Sequence, residues 1–414
     1  MNTRIQKKMM GLRTNQIALF ALLLLSSFVS PILTVFFAIY IFISSPSDRT
    51  AIVCSVGVAF SAALIAHGIV YKHDVDMTRW MVECDFYTGK NILSIWSSVN
   101  SDHNGLLVWN LLCWITGNSG DLRLLQSLAA FFGYGLISWI MMSGYVKKPV
   151  NSFVFVALLV FLFLAIPVQP IIGNVRSALG CLLCATAFCS RTSCNLKGSL
   201  VPLLLIFTAC LIHYSMVLPL LIYIFQPLLT KKPIFSLLLS AFVLFVCLSA
   251  APLLLEIDML NNIPIVSNIL QKAAFYSAGT QWDQAMAKDV FSIISHVLSL
   301  LLLGLICLKL ICSNSHDDLS VITLVMIASV VVMEFTFVNV GNRLKYIPIL
   351  MFSVLMLDDN KRGCIQNLKV SRWVDSLMFG SAFLVCLISM YRFIPSFNYF
   401  HVIAGAFLFP VMLI

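Results

Sequence analysis

Residues 199–229 read SLVPLLLIFTACLIHYSMVLPLLIYIFQPLL, with no acidic residue, lysine or arginine, and Lys197 and Lys231-Lys232 close the run at its two ends. Such a run belongs in a bilayer, where about 20 apolar residues make one helical crossing. Basic loops mark the cytoplasmic side, so the run leaves that side and returns to it. At about 1.5 Å per residue each half falls short of a full crossing. The expected solution is a broken or shallow pair of helices meeting near His213.

The rest of the chain repeats this pattern. Of its 414 residues 60% are hydrophobic and 10% charged, and the mean hydropathy is +0.97. A soluble domain carries about 25% charged residues, so a soluble fold would have almost no surface. The apolar runs lack the period-2 alternation of a membrane barrel, which leaves helices as the spanning element. The expected fold is a single all-α polytopic membrane domain over residues 1–414, with about 11–14 transmembrane helices, some short or broken.

The net charge of +9 is explained by short basic loops that set topology, so no nucleic-acid partner is implied. The cytoplasmic loops are then 1–13, Lys147-Lys148, Arg191 to Lys197, Lys231-Lys232 and Lys361 to Arg372. Between them, segment 150–172 runs out and 177–190 returns, with Arg176 at the outer end. Segments 234–255 and 290–311 flank an outer polar stretch, 256–289. Segments 319–340 and 346–357 meet outside at Asn339 to Tyr346, and 374–393 and 397–414 complete the chain. Residues 14–47 span about 51 Å as one helix, too long for one upright crossing. Pro31 after Ser30 is expected to break them into a hairpin, which puts 72–120 outside and keeps the N-terminus cytoplasmic. A single crossing there would instead move 72–100 to the cytoplasm. The basic N-terminal patch and the run after it lack a cleavage site and read as a retained first membrane segment.

Most of the 13 cysteines, including the pair Cys181 and Cys184, sit in apolar runs and read as small packing residues. Ionisable residues at membrane depth are costly, and each is a functional candidate. Arg176 stands alone between apolar runs, on the side where topology does not ask for a cation. His213 lies at the expected break and suits a general base or a donor to phosphate. Asn342, Arg343, Lys345 and Tyr346 follow one another at an outer turn, and two cations there suit an anionic ligand such as a phosphate. Asp76 and Arg79, three residues apart, share a helix face in an outer stretch that equally reads as an interfacial helix. The stretch 256–289 holds Lys272, Tyr276, Trp282, Asp283 and Lys288, which suit sugar stacking or an interfacial belt. No P-loop, G-x-S-x-G, H-E-x-x-H or dinucleotide fingerprint occurs. No carboxylate-rich outer set suits a divalent cation, so neither a metal nor another cofactor is expected.

In order and placement these features resemble the EpsG-like and Wzy-type bacterial polysaccharide polymerases. The resemblance runs through Ser30-Pro31, Asp74 to Trp80 (like an Asp-x-x-x-Tyr stretch) and Asn104 to Trp109. It continues through Asn174-Val175-Arg176-Ser177 (like Asn-x-x-Arg-Gln), His213-Tyr214-Ser215 (like His-x-Ser/Ala) and Arg343 to Tyr346 (like Arg-x-x-x-Tyr). It departs where Ser177 replaces Gln, Trp80 replaces Tyr and Tyr346 comes one residue early. The resemblance implies a metal-independent glycosyltransferase of the multispanning GT-C-like type in the bacterial inner membrane. It would join oligosaccharide units carried on undecaprenyl pyrophosphate at the periplasmic face, for O-antigen, capsule or exopolysaccharide. Its partners would be that lipid-linked oligosaccharide, membrane lipids and a chain-length regulator. Arg176, Arg343 and Lys345 would hold the pyrophosphate, and His213 or Asp76 would act as base. Arg79, Asn174, Asn342, Tyr346 and Asp283 would contact substrate. Two other readings stand beside it: a flippase that moves lipid-linked oligosaccharide, disfavoured by the absence of visible repeats, and an O-antigen ligase, which shares the donor.

Overall fold

With no water in a bilayer core, each backbone N–H and C=O must find its partner within the chain, and helices do this locally. The computed structural model describes residues 2–69, 76–96, 105–192, 200–230, 290–313, 317–336, 341, 343–358, 368–393 and 399–408, and all regular elements among them are helical. The expectations for segment 234–255, for the stretch 256–289 with Asp283, and for Asn342 lie outside the described residues.

The first break falls at Ser30-Pro31. Helix α1 (Asn2–Val29) ends there and Pro31 opens α2 (Pro31–Ser44), where its missing N–H costs nothing. The Ser26 and Thr34 hydroxyls meet at 2.8 Å across the bend. Helix α1 runs parallel to α3 (Asp48–His67): Leu23 lies against Gly57, and the Ser27 hydroxyl meets that of Ser61 at 3.0 Å. Helix α2 then returns toward the start of α3, so α1 and α2 form a hairpin.

Helix α6 (Leu124–Lys147) lies antiparallel to α3. Ser55 donates to Met142 Sδ at 3.4 Å near one end, and His67 meets Ser127 Oγ at 3.2 Å near the other. The helices approach closely where Gly135 faces Ala59, as small residues permit in membrane bundles. Gln126 Nε2 reaches back to the carbonyls of Ala66 and Ile69, at 2.5 and 2.8 Å, and satisfies the end of α3.

The expected single segment 150–172 is two pieces. Helix α7 (Ser152–Ala165) stops, and α8 (Val168–Gly173) follows. Pro167 lacks an N–H and disfavours helical geometry at Ile166, which sits at φ −123°, ψ 71°. Helix α9 (Val175–Thr192) is sheathed in protein, with Ser177, Cys181, Leu182, Cys184, Ala185 and Phe188 all buried. The run 199–229 breaks where expected: α10 (Leu200–Ile212), an extended His213, a 3-10 turn at Tyr214–Met216, then α11 (Val217–Leu229). Beyond it come α12 (Val290–Cys312), α13 (Asp318–Thr336), α14 (Tyr346–Leu355), α15 (Leu368–Phe393) and α16 (Tyr399–Phe407).

Among the described residues, Asp48–His67, Leu124–Lys147, Ile293–Cys312 and Ser371–Tyr391 are long and apolar enough to cross a membrane. Six further apolar helices are shorter, α7, α10 and α14 among them. Large apolar side chains point outward along the bundle, as Phe36, Tyr40, Phe153, Leu204 and Phe225 do, far more than a water-facing surface tolerates. This is the architecture of an all-α membrane protein.

The two ends of the bundle differ. At one, Lys148 Nζ contacts Asp358 Oδ2 at 2.8 Å, so two loops expected on the cytoplasmic side share an end. At the other, helix α4 (Asp76–Asp85), a 3-10 turn (Ile92–Trp96) and helix α5 (Leu107–Asn118) form a cap. Asn118 Nδ2 donates to the Tyr87 carbonyl and Trp114 Nε1 to that of Lys90, both at 2.9 Å. A side chain at Gly117 would lie 2.1 Å from the Cys84 carbonyl oxygen, so only glycine permits α4 and α5 to close. His67 and Asp121, 3.4 Å apart, tie the ends of α3 and α6 beneath the cap.

Candidate functional site

Helix α9 organises the candidate residues through its first turns. Arg176, its second residue, places Cζ 4.1 Å from the ring centroid of Trp80 on α4 and 5.3 Å from that of Trp109 on α5. The two indoles meet edge to face at 5.5 Å. Cation–π contacts stabilise by about 0.5–2 kcal/mol, at the upper end when desolvated, and here both rings are buried. Trp109 Nε1 donates to Glu83 Oε2 at 3.3 Å. Glu83 lies one helical turn beyond Trp80 and is also buried, so a carboxylate stands behind the indole pair. Arg79 is exposed, with Cζ 5.6 Å from the Trp80 ring.

Ser177, the next residue of α9, brings in the second cation. Arg343 Nη1 reaches Ser177 Oγ at 3.5 Å, and its carbonyl accepts from Cys181 Sγ at 3.3 Å, one turn further along. Positions 177 and 181 share a helix face, and that face seats the segment that opens α14. Lys345 is only 4% exposed, although the sequence suggests an outer turn. Its Nζ donates to Ser299 Oγ on α12 at 2.7 Å. Tyr346 is buried beside it, with Lys345 Nζ 5.7 Å from the ring.

The third component is the break in the run 199–229. His213 Nδ1 accepts from the Ser215 backbone N–H at 3.1 Å and lies 2.7 Å from Ser215 Oγ. Met216, which ends the turn, sits on Gly180, where an added Cβ would lie 2.8 Å from Met216 Cγ. Cys184 Sγ, a turn along the same face, meets Met216 Sδ at 3.7 Å. The His213 turn is thereby held on α9 one turn from Arg176.

Arg176, Arg343, Lys345, Tyr346 and His213 thus gather around one helix from three separate parts of the sequence. Asn174 precedes α9 and is half-buried, and its carbonyl accepts from the Ala178 N–H at 3.0 Å. Asp76 begins α4. Asn342 and Asp283 are not among the described residues.

Sequence reasoning missed a further group. Glu334 on α13 is 2% exposed, and its Oε2 lies 2.8 Å from Nδ1 of His296 on α12. His296 and Ser299 share a face of α12, so this pair and Lys345 belong to one polar cluster. Gly341 packs directly on Glu334, and a Cβ there would lie 2.5 Å from the Glu334 backbone nitrogen. The available signal was one carboxylate and one imidazole, each inside an apolar run.

Comparison with known proteins finds no counterpart. No family model matches the chain, and neither a curated protein nor a solved structure does. The functional reading therefore stands on the site itself. Two guanidiniums and an ammonium sit at or near the cap end of a membrane bundle. Fixed cations in a water-poor setting stabilise a developing anion strongly, because they need no reorganisation. Arginine adds planar paired donors suited to phosphate oxygens.

Proposed function

We propose that the chain is a membrane-embedded, GT-C-like glycosyltransferase that polymerises oligosaccharide units carried on undecaprenyl pyrophosphate. The observation that carries this reading is the convergence of Arg176 and Arg343 on neighbouring residues of α9, with Lys345 behind them. A pyrophosphate leaving group needs cations fixed in advance, and its lipid tail needs a membrane. In this reading the cap faces the periplasm of a bacterial inner membrane, and the Lys148–Asp358 end faces the cytoplasm.

In the reaction the donor chain leaves its lipid pyrophosphate and joins a hydroxyl of the incoming unit. Arg176 and Arg343 hold the pyrophosphate oxygens, and Lys345 adds charge from within the bundle. His213 acts here as a donor. Its Nδ1 already accepts from Ser215, so the neutral ring carries its proton on Nε2. Arg79, beside the Trp80 ring, and Tyr346, beside Lys345, complete the substrate contacts.

Arg176→Ala and Arg343→Ala test the reading in cells that lack the native gene. Each variant should accumulate in the membrane yet collapse the polysaccharide ladder to a single repeat unit. Normal ladders from both would remove these residues from the site. Loss of even the single unit on gene deletion would favour a flippase or ligase.

A further inference from the structure

A glycosyl transfer also needs a group that takes the proton of the attacking hydroxyl. His213 is a poor candidate, because its Nδ1 is occupied and its Nε2 carries the proton. A second histidine has the opposite arrangement. His296 Nδ1 lies 2.8 Å from Glu334 Oε2, an ion-pair distance without full hydrogen-bond alignment. A carboxylate there favours the proton on Nδ1, which leaves the lone pair on Nε2. Glu334 has a fully buried side chain, whereas that of His296 is 23% exposed. The pair therefore has one fully buried member and one partly exposed member.

Burial of Glu334 is costly unless its charge is answered, since a buried ion gives up its hydration. The surroundings answer it with His296 and with the positive charge of Lys345 on the neighbouring segment. Nothing in helix packing requires a carboxylate at this depth. An imidazole backed by a buried carboxylate is a recurrent device for proton abstraction: the acid fixes the tautomer and stabilises the imidazolium.

We propose that His296 is the general base of the transfer and Glu334 its positioning residue. This rests on the polymerase reading above. The hydroxyl oxygen of the acceptor sugar bonds to the anomeric carbon of the donor while its proton passes to His296 Nε2. The bond from that carbon to the pyrophosphate oxygen breaks, and the pyrophosphate leaves with the electron pair toward Arg176, Arg343 and Lys345. Glu334 keeps its charge throughout and balances the imidazolium. Base and anion clamp are joined through α12, where His296 and the Lys345 partner Ser299 stand one turn apart.

The experiment uses the purified full-length protein in lipid nanodiscs, with polyprenyl-pyrophosphate-linked repeat units, and reads chain extension. His296→Ala should lower kcat at least 100-fold with KM for the donor little changed, and added imidazole should restore part of the rate. Glu334→Gln should lower kcat about tenfold or more, and Glu334→Asp should recover part of that loss. Wild-type activity with either variant at wild-type kcat would overturn the assignment. So would a His296→Ala loss that imidazole fails to restore while Glu334→Asp behaves like Glu334→Gln, because that pattern marks a structural role. Failure of the wild-type protein to extend chains would overturn the polymerase reading itself, and the base role with it. If Glu334→Gln fails to fold, imidazole rescue of His296→Ala decides the matter.

Discussion

Gly341→Ala perturbs the site without touching a charged group. Its added Cβ would lie 2.5 Å from the Glu334 backbone nitrogen, 2.6 Å from Glu334 Cγ and 2.8 Å from Glu334 Cα. Carbon pairs in packed interiors sit at about 3.5–4.0 Å, so the 341–345 segment must retreat from α13 by about 1 Å. Overpacking of this kind costs about 1–3 kcal/mol. The same retreat acts on Arg343, whose 3.5 Å approach to Ser177 is already at the limit of a hydrogen bond. Misplacement of a catalytic group by about 1 Å lowers rates by about 100-fold. Gly304→Ala and Gly380→Ala are matched controls, because a Cβ at either position meets nothing within 4 Å among the described residues. The assay is thermal unfolding of purified protein in detergent together with chain extension from lipid-linked units. Gly341→Ala should lower both melting temperature and rate, and the two controls should lower neither, since an unobstructed helix-interior Gly→Ala exchange tends to stabilise. A Gly341→Ala protein with wild-type stability and rate would refute the argument that this contact seats Arg343 and Lys345.

Three further outcomes follow from the cap and the bundle ends. Trp80→Ala removes the nearer ring beneath Arg176 and should lower the rate about tenfold, for a loss of about 1–2 kcal/mol; Trp80→Phe should keep most of it. Burial pushes the Asp121 carboxyl up, but hydrogen bonds from Arg123 and the charges of Arg123 and His67 outweigh it and hold the group below its ordinary value. A depressed carboxylate contributes stability above its unfolded value of about 3.9, which is lost as pH falls through the folded value. Asp121→Asn should therefore narrow the difference in melting temperature between pH 6 and pH 3. In a cysteine-free background, Thr88→Cys on the cap should react with a membrane-impermeant maleimide from the periplasm, and Asp358→Cys only after permeabilisation. The reverse pattern would invert the topology.

Much of this arrangement was legible in the sequence because bilayer physics constrains it. The run 199–229 was too short for two full crossings, and it breaks at His213. Ser30-Pro31 turns α1 into α2 for the reason that proline always offers. Pro167 carried the same signal inside 150–172, but there the apolar count on both sides concealed it. Arg176 and Arg343 stood out because they broke the charge bias of the loops. The contact of Arg343 with Ser177, the residue after Arg176, and the indole pair that flanks Arg176 are tertiary facts that spacing does not encode. Glu334 and His296 each interrupt an apolar run, yet each alone reads as a tolerated polar residue. Their significance comes from the 2.8 Å between them. Lys345 reads as a loop cation by position, and only packing against α12 turns it into a buried one.

The central claim is tested most directly by purified protein in nanodiscs supplied with undecaprenyl-pyrophosphate-linked repeat units alone. The account predicts a ladder of longer chains, with one undecaprenyl pyrophosphate released for each linkage formed. Folded protein that leaves the units unextended, or that moves them across a bilayer intact, would contradict it.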